Sequence, residues 1–80
     1  MNASDIPVRA FRVEMGQGWR DTLQEAVTAL GFRTYARGFG RDSTTWNVCV
    51  VTQEAMSCND VSDALRRQLG FAGWLSVEMD

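Results

Sequence analysis

Apolar residues along the chain follow two periods, and the switches between them outline the fold. From Ala10 to Met15 apolar and polar residues alternate, which places Phe11, Val13 and Met15 on one face of a strand and Arg12 and Glu14 on the other. Ile6, Pro7 and Val8 fall out of phase and include the chain's single proline, so they read as a lead-in segment. Gly16-Gln17-Gly18 breaks the strand. From Trp19 to Leu30 the spacing changes to three and four: Trp19, Leu23, Ala26, Val27 and Leu30 form the apolar stripe of a helix, while Gln24, Glu25 and Thr28 face water. Gly31 followed by Phe32 predicts a left-handed stop of the Schellman type.

Residues 32–37 and 44–52 predict two more strands, the second with Trp46, Val48 and Val50 alternating against Thr45, Asn47 and Cys49. The intervening Gly38-Phe39-Gly40-Arg41-Asp42-Ser43 has turn chemistry, so the pair reads as an antiparallel hairpin. Ser57 with Asp60 has the spacing of a capping box, and Met56 with Val61 that of a hydrophobic staple. A second helix follows, with Val61, Ala64, Leu65 and Leu69 inward and Gly70 as its stop. Residues 74–79 close the chain as a strand with Leu75, Val77 and Met79 on one face. The order βαββαβ predicts a single ferredoxin-like α+β domain over residues 1–80, a four-stranded antiparallel sheet with both helices on one face and its first and third strands central. The other face would be open and would carry Arg12, Glu14, Arg33, Tyr35, Arg37, Thr45, Asn47, Cys49, Trp74, Ser76 and Glu78.

Composition narrows the function. The 80 residues are 45% hydrophobic, enough for one core, and the formal net charge is −2. That balance argues against a nucleic-acid or anionic-membrane footprint. No apolar run has membrane-spanning length, and Met1-Asn2-Ala3-Ser4-Asp5 lacks the order of a signal peptide, so the expected setting is the cytoplasm and the expected protein a complete one. There is no histidine, which leaves Cys49 and Cys58 as the soft ligands; no metal, cofactor or catalytic triad is implied. Charge is uneven: residues 1–41 carry a formal +2 and residues 42–80 a formal −4, with Asp42, Glu54, Asp60, Asp63, Glu78 and Asp80 as a prospective acidic side.

Individual motifs add less. Gly16-Gln17-Gly18 ahead of a helix lacks both the third glycine of a dinucleotide fingerprint and the lysine of a P-loop. Cys58 stands at a helix start without a base beside it, and Asp60 and Asp63 suit the helix dipole there. Arg37-Gly38-Phe39-Gly40 resembles the opening of the RNA-recognition octapeptide, but Arg41-Asp42-Ser43-Thr44 departs from it in the hairpin turn, and RNA binding is not expected. Leu30-Gly31-Phe32 and Leu69-Gly70-Phe71 through Val77 resemble the helix–strand joints of ACT-type regulatory domains, a resemblance that implies a small ligand such as an amino acid near Gly16, Gln17, Gly18 and Trp19. In size and acidity the chain is similar, as a class, to small phage-encoded inhibitors such as anti-CRISPR proteins.

The reading that joins these observations is a non-enzymatic protein-interaction module that binds and blocks a partner protein or nucleoprotein complex. Arg33, Tyr35, Arg37 and Trp74 on the open face, with Asp60 and Asp63 as an acidic patch, are its predicted contacts. The same open face would serve a homodimer. An ACT-like sensor of a small ligand is the alternative.

Overall fold

In a computed structural model the described residues are 9–70 and 73–80. Met1, Asn2, Ala3, Ser4, Asp5, Ile6, Pro7, Val8 and Phe71, which enter the sequence reading, lie outside them. The elements are β1 (Ala10–Gly16), a 3-10 turn (Gln17–Trp19), α1 (Arg20–Ala29), β2 (Arg33–Phe39), β3 (Thr45–Val51), α2 (Cys58–Leu69) and β4 (Ser76–Met79). The four strands form one antiparallel sheet in the order β2-β3-β1-β4, so β1 and β3 are central, and the element order is that of the βαββαβ fold the sequence predicts.

Alternation in the two central strands builds the core. Phe11, Val13 and Met15 of β1 and Val48 and Val50 of β3 are all fully buried, and they meet Leu23, Ala26 and Val27 of α1 and Val61 and Leu65 of α2 in one cluster. Both helices therefore cover the same face, because only that face carries an unbroken apolar surface. Leu30, Phe32, Met56, Cys58, Leu69 and Val77 seal the margin of this cluster.

The helix stops follow the sequence signals. Phe32 N–H donates to Val27 O at 3.1 Å and Gly31 N–H to Thr28 O at 3.0 Å, the paired bonds of a Schellman ending, with Gly31 at φ 79°. At the start of α2, Asp60 N–H donates to Ser57 Oγ and Ser57 N–H to Asp60 Oδ2, both at 3.1 Å. This closed capping box gives a direct prediction. Ser57→Ala should lower stability by about 1 kcal/mol in chemical denaturation, whereas Ser57→Thr should retain most of the cap.

Three local expectations need correction. The helix stripe was expected to begin at Trp19, but Trp19 belongs to the 3-10 turn and is 41% exposed, so α1 starts one residue later. Strand β2 continues through Gly38 and Phe39, which the turn residues had been expected to exclude; the hairpin loop is 40–44. Most consequential is a register shift between Thr34 and Ala36, where β2 spends one extra residue against β3. Arg33 lies opposite Val51, but Arg37 lies opposite the buried Val48, which moves Arg37 from the open face to the helix side.

Candidate functional site

The open face of the sheet is occupied by its own polar groups. Arg12 Nη2 donates to Glu78 Oε2 at 2.6 Å between neighbouring strands, and this hydrogen bond raises the guanidinium pKa. Asp80 is held beside β1 by its N–H, which donates to Ala10 O at 3.0 Å, and its carboxylate accepts a hydrogen bond from the Tyr35 hydroxyl of the far edge strand. Cys49 of the intervening strand feels both groups; burial first, then Asp80, push its thiol pKa up, which works against a reactive thiolate.

Tyr35 is the chain's single tyrosine, and its hydrogen bond to Asp80, with a smaller contribution from burial, pushes the phenol pKa from 10.0 to about 12. The folded state therefore holds this proton more tightly than the unfolded chain. The contribution to stability is complete below pH 10 and is lost as the pH rises toward 12. Ultraviolet titration of the native protein should show the phenolate appearing near pH 12, and Asp80→Asn should bring it back toward 10. A native titration near 10 in the unmodified chain would exclude the bond.

The helix side of the β2–β3 hairpin carries a different constellation. Phe39 and Trp46 face each other across the ladder with ring centroids 5.2 Å apart at 89°, an edge-to-face pair. Arg20, the first residue of α1, places its guanidinium carbon 5.5 Å from the Trp46 centroid. Arg37 completes the group. Beside it opens a hollow of about 680 Å³ lined by Arg20, Asp21, Gln24, Glu25, Arg37 and Trp46. α1 begins at Arg20, at the hollow's rim, and meets β2 through a polar contact in which Gln24 Nε2 donates to Thr34 Oγ1 at 3.1 Å. Past Val48 and Met15 the apolar face of the sheet emerges from its helix cover, and Trp46 stands at that border, half-buried. Phe39 beyond it is 56% exposed.

The structure thus redistributes the residues singled out in the sequence. Arg33 and Tyr35 stay on the open face, Tyr35 engaged with Asp80, while Arg37 joins Trp46 on the other side. Trp74 precedes β4 rather than lying within it, and is 57% exposed. The acidic residues sit on several elements: Asp60 is engaged in the cap of α2, Asp63 lies further along that helix, Glu54 precedes it, Glu78 and Asp80 belong to the open face, and Asp42 accepts from Thr44 within the hairpin loop. Hydrogen bonds from the Thr44 hydroxyl and, second, from its N–H lower the pKa of Asp42. In the turn before α1, Gly16 pairs with Thr45 and Gln17 N–H donates to Thr44 O at 2.8 Å, so this amide is spent on the hairpin, and the hollow begins beyond Gly18 and Trp19. Cys49 and Cys58 are both free thiols.

Arg20, Phe39 and Trp46 are the members that pattern reading missed. Trp46 fits the inward phase of β3 and so reads as core; nothing in the sequence says where the helix cover ends. No family model, curated protein or solved structure matches this chain. Among the described residues no helix is long and apolar enough to cross a membrane.

Proposed function

We propose that this protein is a non-enzymatic interaction module that acts by occupying the surface of a partner protein, with Trp46, Phe39, Arg20 and Arg37 as its contact centre. The observation that carries this reading is the edge-to-face pair of exposed Phe39 and half-buried Trp46, with the Arg20 guanidinium over the Trp46 ring. Tryptophan and arginine with a second aromatic beside them are the residue types that dominate binding energy at protein interfaces, and a hollow next to the rings offers a place for a partner side chain. The open face suits this role less well, because Arg12, Tyr35, Glu78 and Asp80 already satisfy one another there. Blocking of the partner's own contacts follows from simple occupancy. The test is affinity capture from bacterial lysate followed by affinity measurement on the purified pair, comparing the natural chain with Trp46→Ala.

One feature favours a second reading. The hollow carries both signs of charge, Arg20 and Arg37 against Asp21 and Glu25, an arrangement suited to a zwitterion such as a free amino acid. A ligand present at a hundred times its dissociation constant adds about 2.7 kcal/mol of stability. Thermal unfolding across the amino acids separates the readings: a midpoint raised by several degrees supports the sensor, and an unchanged midpoint removes it.

A further inference from the structure

Strand β2 is an edge of the sheet, and its outer side has no strand neighbour among the described residues. Its seven residues, Arg33–Phe39, are exposed apart from Thr34 and Gly38, and they carry Arg33 and Arg37, with Arg41 just beyond. No carboxylate occurs in the chain between Arg33 and Arg41, so three arginines lie along one edge of a protein whose formal net charge is −2, with Asp80 held by Tyr35 on the open face and Asp21 and Glu25 beside Arg37 on the helix side. At the register shift a hollow of about 330 Å³ is lined by Thr34, Tyr35, Ala36 and Arg37.

We infer that β2 takes up an extended, acidic segment of the partner protein as a fifth strand, with partner carboxylates spaced three residues apart. The inference rests on the docking reading above and specifies which part of the partner it engages. An edge strand presents both N–H donors and C=O acceptors in a row, and a second strand answers both, whereas a nucleic-acid backbone offers acceptors to the arginines and nothing to the carbonyls. A second copy of this chain is disfavoured by charge, because pairing one β2 edge with another brings Arg33, Arg37 and Arg41 of one copy beside the same three arginines of the other. The spacing comes from the shift in β2. Arg33 and Arg37 are four residues apart, yet their partners on β3, Val51 and Val48, are three apart. A regular strand on the outer side meets the same geometry. Carboxylates three apart point to opposite faces of that strand, as Arg33 and Arg37 do.

The test is an NMR titration of the isotopically labelled protein with a short Val/Thr-rich peptide bearing two glutamates three positions apart. Amide shifts and slowed hydrogen exchange should be confined to Arg33–Phe39 and the bulge hollow, and Arg33→Glu should weaken the peptide on the order of tenfold. Moving one glutamate to a four-residue spacing, N-methylating alternate peptide amides, or replacing the glutamates by lysine should each abolish the effect. Equal binding by the N-methylated peptide or by an oligonucleotide of similar charge would reduce the edge to a charged patch and overturn strand addition. So would the absence of shifts, or β2 amides already protected on their outer side in the free protein. The two proposals fail separately: a captured partner that depends on Trp46 and ignores Arg33→Glu leaves the module standing and removes the fifth strand, whereas capture of nothing removes the module itself.

Discussion

Phe11→Ala should cost about 3–5 kcal/mol of folding stability, the loss expected when a fully enclosed aromatic side chain is cut back to a methyl group. Phe11 is completely buried on central strand β1, paired with Val50 on one side and Met79 on the other, and both helices contribute to the cluster around it. The cavity has little chance to collapse, because the backbone on either side is pinned by ladder hydrogen bonds and both helices pack across it. An 80-residue domain has a total margin of about 4–12 kcal/mol, so the variant should lose a large fraction of it, and the thermal midpoint should fall on the order of 12 °C or more. Chemical denaturation checks this: the midpoint should drop with little change in slope. A loss near 1 kcal/mol would mean that β1 is not the centre of the core.

Trp46→Ala should have the largest effect on function, weakening the partner by about 2 kcal/mol or more, roughly 30-fold in affinity. Trp46 is placed to contribute because part of it is fixed against the core while its ring packs perpendicular to Phe39 and lies under Arg20. A ring held this way loses little freedom on binding. Its removal also strips packing from the core margin, so stability must be measured beside affinity. Phe39→Ala supplies the control: Phe39 is 56% exposed, its loss should cost little folding energy, and it should still weaken the partner. Arg20→Ala should cost less, about 0.5–1 kcal/mol, as a cation–aromatic contact in water does. Should the partner be indifferent to both ring deletions in folded protein, the contact centre lies elsewhere.

The acidic patch illustrates why function is harder to read than fold. Charge reversal at Asp60 looks like a clean probe of a surface contact, yet the Asp60 carboxylate accepts the Ser57 N–H and closes the cap of α2. Reversal there would destabilise the helix start as well as change the surface, and any loss of binding would mix the two causes. Asp63 is the better probe.

What the sequence determined by itself was most of what depends on neighbours in the chain, the start of α1 and the end of β2 apart. Alternation fixed β1 and β3, the three- and four-residue spacing fixed both helices, Gly31 and Gly70 fixed their ends through φ values of 79° and 61°, and Ser57 with Asp60 fixed the start of α2. These are local consequences of backbone sterics and of which side chains avoid water, so a short window contains them. The order of elements then led to a sheet with β1 and β3 at its centre, since few arrangements bury both apolar faces together. Tertiary structure alone decided the surface. One extra residue in β2 turned Arg37 away from Arg33, and the start of α1 at Arg20 left Trp46 at the border of the helix cover. The bond from Tyr35 to Asp80 joins residues far apart in the chain. Each depends on how segments distant in sequence come to rest against one another, where a shift of one residue reverses a side chain's direction while leaving every local pattern intact.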